Sequence, residues 1–237
     1  MYRGLCLQPP FFEIGPKSYL YGRQVLDLAL AADAAAQKYQ VGIIFTTPFA
    51  DIRLVAESTS HIHVFAPHMD SLLPGRGVAD ILPESIKAAG AVGVMLNHCE
   101  KPVSLAQLRQ TIRRADETGL GTIVCADSIA EARAVAQFEP NIIVAEPTEL
   151  IGSNQTSGND YVQASIAAIK AINPDILVLQ SAGIRSGRDV YAIMLAGAEA
   201  TGSSSGIALA PDRAAMVDEM VRAVREGWDA CHTAPAF

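Results

Sequence analysis

The feature that most limits the folds open to this chain is its rhythm. Apolar, strand-like runs alternate with helical patterns eight times along 237 residues. The strand-like runs are Phe11–Gly15, Val41–Thr46, Ile62–Ala66, Ala91–Leu96, Gly121–Cys125, Asn141–Ala145, Ile176–Gln180 and Glu199–Ser203. Helical patterns fall between them, near 22–39, 48–58, 83–89, 104–118, 128–138, 160–173, 186–196 and 211–228. Ser104 ahead of Leu105, Leu108 and Ile112 reads as a helix start, and Pro211 suits a first helical position. Strict alternation implies parallel strands joined by right-handed crossovers. Eight such units predict an α/β chain folded as one closed (β/α)8 barrel, a single domain over residues 1–237. An open doubly wound sheet competes, but no Gly-x-Gly-x-x-Gly turn follows the first strand. No linker or break in composition marks a second domain.

Half the residues are hydrophobic and 18% are charged, enough to fill a sizeable core. A net charge of −7 argues against nucleic acid as the main partner. Cys6, Cys99, Cys125 and Cys231 are scattered without the paired spacing of a metal site, and a reducing cytoplasm is their simplest setting. The first ten residues do not read as a secretory signal, and no apolar run approaches a membrane span. The expectation is a soluble cytoplasmic chain with no cysteine metal site and no membrane partner.

In a barrel of this kind, residues just past each strand converge on one face. Those positions carry Lys17 after the first strand, His98 after the fourth and Glu146 after the sixth. Ser181–Ile184 follows the seventh strand and Gly202–Gly206 the eighth, where barrels often hold phosphate. Glu146 opens the segment 146–153, in which Pro147 and Gly152 bracket a short apolar stretch as a hinged lid requires. Such a set suits proton transfer next to a carbonyl. Glu146 would act as base, His98 would donate to the carbonyl oxygen, and Lys17 would stabilise the developing negative charge. Small loops with free amides would let a phosphate approach. Each feature alone has a plainer reading: a strand-end glutamate, a structural histidine, a solvated lysine and glycines serving turns.

The stretches Leu82–Ser85, Gly90–Glu100, Val144–Gly152 and Ala182–Ile184 together resemble the triosephosphate isomerase family, in particular its short, archaeal-type branch. The resemblance implies a TIM barrel and an aldose–ketose isomerase of carbohydrate metabolism, in glycolysis. It implies a small phosphorylated sugar as substrate, no cofactor, and assembly as a homodimer or homotetramer. It matches Glu146 to the catalytic base, His98 to a neutral electrophile, Lys17 to the active-site lysine and Glu100 to a supporting glutamate. Backbone amides of Gly152, Gly183, Ser204 and Ser205 match the phosphate cradle.

Two positions depart from the family pattern. Gly15-Pro16-Lys17 stands where the family has Asn-x-Lys, and residues 74–80 lack the threonine that enters a neighbouring subunit's site, with Val78 in that region. A glycine at 15 removes a donor and adds room beside the reacting carbons, which leaves a four-carbon erythrulose or erythrose phosphate open as substrate. A barrel that binds a phosphate ligand without turnover and a lyase using Lys17 in a Schiff base are the other readings.

Overall fold

The computed structural model describes residues 1–147, 158–181 and 183–233. Eight parallel strands close into a barrel in the order in which they occur in the chain. They are β1 Phe11–Ile14, β2 Gly42–Thr46, β3 Ile62–Ala66, β4 Gly93–Leu96, β5 Gly121–Ala126, β6 Ile142–Ala145, β7 Leu177–Gln180 and β8 Ala200–Ser203. β1 closes the cylinder on β8, with Phe11 opposite Ala200 and Glu13 opposite Gly202. This is the (β/α)8 barrel expected from the alternation, and each strand lies within a residue or two of its sequence position.

The helices are α1 Arg23–Tyr39, α2 Ile52–Ser58, α3 Pro83–Ala88, α4 Leu105–Thr118, α5 Ile129–Ala136, α6 Asn159–Lys170, α7 Gly187–Leu195, α8 Ser205–Ala208 and α9 Arg213–Thr233. Local chemistry sets their ends. Ser104 and Gln107 form a reciprocal capping box at the start of α4, and Gly119 ends it at φ 72°, a conformation glycine adopts without steric cost. Ser186 and Asp189 cap α7 in the same way. Pro211 is not the first residue of α9. The helix opens at Arg213, and the Asp212 carboxylate accepts the Ala215 amide at 3.0 Å, so an N-cap acid decides the start. The expected Ser-rich loop after β8 also differs, since its second half turns as α8.

Two apolar layers hold the barrel. The larger lies between strands and helices and includes Val25, Ile43, Val94, Leu108, Val178 and Val224. The smaller fills the cylinder itself, with Phe11, Ile44, Phe65, Ile123, Val144 and Leu179. Phe65 fits because β4 carries Gly93 beside it, where a Cβ would sit 2.2 Å from the ring. Side chains alternate along a strand, so on β1 the inward face that begins with Phe11 continues with Glu13. A carboxyl therefore stands above an apolar plug. Among the described residues no helix is long and apolar enough to cross a membrane. Residues 74–80 are exposed, Val78 at 95%.

Candidate active site

A cavity of about 420 Å³ opens at the carboxyl ends of the strands, within the usual range for small-molecule sites. Lys17, His98, Glu100, Glu146, Gly183, Ser204 and Ser205 all border it, so the described members of the expected set meet at one place. Gly152 lies outside the described residues, as does the rest of the expected lid segment from Thr148 to Ser153.

Glu146 is the first residue past β6, and its amide donates to Ala126 O at 3.0 Å, continuing the ladder by one bond. Its side chain lines the cavity at the mouth of the barrel. Ser181 Oγ donates to Glu146 Oε1 at 2.9 Å, and Glu146 Oε2 faces His98 Nε2 at 3.8 Å. Both side chains are largely buried, exposed by 12% and 14%.

His98 is aimed by the residue before it. Asn97 takes a left-handed conformation, φ 57°, which asparagine tolerates better than most residues. Its amide donates to Cys125 O at 3.0 Å and Glu131 Oε1 at 3.1 Å, while its oxygen accepts from the Val103 amide at 3.1 Å. The turn that follows directs the Glu100 amide at His98 Nδ1, 3.1 Å away. A backbone N–H can only donate, so Nδ1 is the acceptor and the ring hydrogen of a neutral imidazole sits on Nε2, facing Glu146. Burial, then the nearby Lys17 ammonium, holds the His98 pKa below the usual histidine value, against the opposing pull of Glu146 and Glu100. The amide on Nδ1 belongs to this turn, and α4 starts only at Leu105. Neutrality here therefore comes from burial, a neighbouring cation and a single turn amide.

Lys17 also adopts a left-handed backbone, φ 48°. Its ammonium reaches Glu100 Oε1 at 3.0 Å. Burial acts to lower the Lys17 pKa, but the hydrogen bond and charge of Glu100, joined by Glu146 and Cys99, hold it above the ordinary value. This lysine is a fixed cation, the opposite of what a Schiff-base nucleophile needs. Glu100 thus serves two neighbours, His98 through its amide and Lys17 through its carboxylate.

Across the cavity, Gly183 turns at φ 72° after β7. Ser204 and Ser205 open α8, whose first amides have no acceptor within the helix. Ser203 Oγ donates to Ile184 O at 2.9 Å, tying the β8 loop to the β7 loop. Gly206 allows this approach, since a Cβ there would meet Ile184 O at 2.6 Å. The two small-residue loops form one continuous wall of the cavity.

Sequence reasoning did not single out Glu13, Asn97 or Ser181. Glu13 is the most consequential. It is 9% exposed and borders the cavity, and its Oε1 has no hydrogen-bond partner. Burial pushes its carboxyl up to about 7; the Thr46 hydroxyl and Lys17 oppose this, while the Glu146 charge adds to it. Thr46 is close without completing a hydrogen bond, for its Oγ1 is unpartnered too. The signal was visible: one carboxyl in an otherwise apolar strand run, two residues past Phe11 and so on the inward face. It also changes the expectation of empty room at Gly15. A Cβ at that position would lie 3.0 Å from Glu13 Oε1, so the space is bordered by a carboxyl.

Comparison with known proteins agrees with this geometry. Residues 17–196 match the family model described as Triosephosphate isomerase. The triosephosphate isomerase of Methanobacterium bryantii is 36% identical over 210 residues, covering 86% of this chain and 92% of the relative. That of Methanocaldococcus jannaschii is 34% identical over 204 residues, covering 85% and 93%. That of Methanosarcina mazei is 32% identical over 220 residues, covering 91% and 99%. With a closed eight-stranded barrel and a carboxylate, an imidazole and an ammonium around one cavity, the chain belongs to the triosephosphate isomerase family of aldose–ketose isomerases.

Proposed function

We propose that this chain interconverts dihydroxyacetone phosphate and glyceraldehyde 3-phosphate by proton transfer through an enediolate. The Glu146 carboxylate removes a proton from the carbon next to the carbonyl, and the C–H electron pair moves toward the carbonyl oxygen. His98 Nε2–H hydrogen-bonds that oxygen, and the Lys17 ammonium offsets its negative charge. Through His98 the proton of the neighbouring hydroxyl moves to that oxygen, and Glu146 returns its own proton to the former carbonyl carbon, leaving the aldehyde. Amides of the Gly183 and Ser204–Ser205 loops hold the phosphate, and Gly152 joins them by family resemblance.

The observation that carries this reading is the pairing of a neutral Nε2–H donor with the Glu146 carboxylate across one cavity, Nε2 to Oε2 3.8 Å. Ser181 restrains the carboxylate by its 2.9 Å hydrogen bond, as a base that must meet one carbon requires. The lyase reading is disfavoured by the raised pKa of Lys17. A four-carbon substrate loses its main argument, because Glu13 borders the space beside Gly15. Assembly as a homodimer or homotetramer belongs to the same reading, and sedimentation of the purified chain tests it.

The activity test is turnover of dihydroxyacetone phosphate and of erythrulose phosphates in deuterated water. Incorporation of solvent deuterium at the carbon next to the carbonyl is expected with the three-carbon substrate. Glu146→Asp, which withdraws the base by one methylene, lowers kcat by about 100-fold. An Asp variant with wild-type kcat removes Glu146 as the base, and preference for the erythrulose phosphates replaces the proposed substrate.

A further inference from the structure

One carboxyl in the cavity has no part in the mechanism above. We propose that Glu13 is a substrate-contacting residue of this isomerase: its carboxyl donates a hydrogen bond to an oxygen of the bound sugar phosphate. The inference deepens the isomerase reading and depends on it for the identity of the ligand.

Three observations converge. First, Glu13 is 9% exposed while Oε1 has no partner in the protein. A buried polar atom without a partner is costly, and groups left so are concentrated where a ligand or reaction uses them. The open side of this carboxyl is the cavity that also holds Lys17, His98 and Glu146.

Second, the carboxyl stands in a niche made by two glycines. A Cβ at Gly15 would lie 3.0 Å from Glu13 Oε1, and one at Gly202 would lie 3.0 Å from Glu13 Cβ and 3.2 Å from Oε2. Contacts this short require the neighbour to give by a few tenths of an ångström, so an ordinary side chain at either position would crowd and shift the acid. Glu13, Gly15 and Gly202 therefore act as one feature of the cavity wall.

Third, the surrounding charges decide its form. Glu146 just past β6 and Lys17 in the β1 loop act on it through their charges, with the Thr46 hydroxyl on β2 and the buried Cys125 thiol on β5 among its neighbours. His98, after β4, borders the same space. Glu146 must be ionised to act as base, and a second carboxylate would repel both that base and a phosphate dianion. With its value raised to about 7, the protonated form persists up to neutrality, and in that form Glu13 does neither and presents an O–H donor. Sugar phosphates offer carbonyl and hydroxyl oxygens to accept it.

The test compares wild type, Glu13→Gln and Glu13→Ala. One measurement is kcat and KM for dihydroxyacetone phosphate from pH 5.5 to 9. The other is calorimetric binding of glycerol 3-phosphate, which carries phosphate and hydroxyls but cannot isomerise. Glu13→Ala is expected to raise KM and Kd by about 10-fold, the loss of one buried hydrogen bond. Wild-type Kd is expected to weaken above pH 7 more steeply than that of Glu13→Gln, whose amide cannot ionise. Unchanged KM and Kd in Glu13→Ala overturn the proposal, as do superimposable pH profiles for wild type and Glu13→Gln. If Glu13→Ala does not fold, the Glu13→Gln profile decides alone. If the wild type isomerises no triose or tetrose phosphate, the isomerase reading falls, while the glycerol 3-phosphate titration still decides whether Glu13 touches the ligand.

Discussion

Replacing Glu13 with Gln makes a separate prediction about stability, with a magnitude that follows from burial. The folded chain releases the Glu13 proton at about 7, against an ordinary value of 4.5. Between those values the folded state binds more protons at this site than the unfolded state, so wild-type stability falls as pH rises through the window. The contribution of protonated Glu13 is complete below about 4.5 and lost once pH passes about 7. Two-state linkage with these values gives a loss of about 1 kcal/mol at pH 5 and about 3 kcal/mol at pH 8, a difference of roughly 2 kcal/mol. Glu13→Gln cannot ionise and escapes that loss, whatever constant offset its amide introduces. Urea unfolding at pH 5, 6, 7 and 8 reads the effect, followed by the fluorescence of Trp228, the chain's single tryptophan. With a urea slope of about 1–3 kcal/mol per molar, the midpoint difference between variant and wild type should widen by on the order of 1 M from pH 5 to 8. Parallel curves for the two proteins across that range would refute the assignment of a buried, neutral acid.

Other substitutions test the surrounding scaffold. Gly202→Ala places a Cβ 2.9 Å from Glu13 O and 3.0 Å from Glu13 Cβ, so it should cost about 1–3 kcal/mol in urea unfolding; wild-type stability would contradict that packing. Asn97→Ala removes the side-chain bonds to Cys125 O, Glu131 and the Val103 amide while leaving a left-handed turn that alanine disfavours. It should lower stability by about 2 kcal/mol or more and reduce kcat as His98 loses its aim, and normal kcat would detach the turn from catalysis. Lys17→Met should reduce kcat/KM for dihydroxyacetone phosphate by about 100-fold or more. Because Lys17 is held above its ordinary pKa, borohydride should trap no adduct on the wild type, and a trapped lysine would revive the lyase reading.

Much of this site was legible in the chain. Glu146 directly follows an apolar run and His98 and Lys17 stand two residues past theirs, and a parallel barrel delivers such positions to one rim. The glycine and serine loops after β7 and β8 were found for the same reason. What escaped was any role that depends on a partner far away in sequence. Lys17 and Glu100 are 83 residues apart and meet at 3.0 Å. Ser181 lies 35 residues from the carboxylate it restrains. Gly15 read as an empty place because the carboxyl beside it lies within the same strand, and only the inward register of β1 brings the two together.

The succession of two-residue and 3.6-residue periodicities in the sequence was sufficient to specify eight parallel strands, their order and the rim on which chemistry would gather, since these follow from local patterning and the handedness of crossovers. Protonation was decided by the tertiary structure. The hydrogen on His98 Nε2 is set by the Glu100 turn amide, while the charge on Lys17 and the raised Glu13 pKa depend on burial and on charges from residues distant in the chain. Those quantities exist only after the barrel closes and water leaves its mouth.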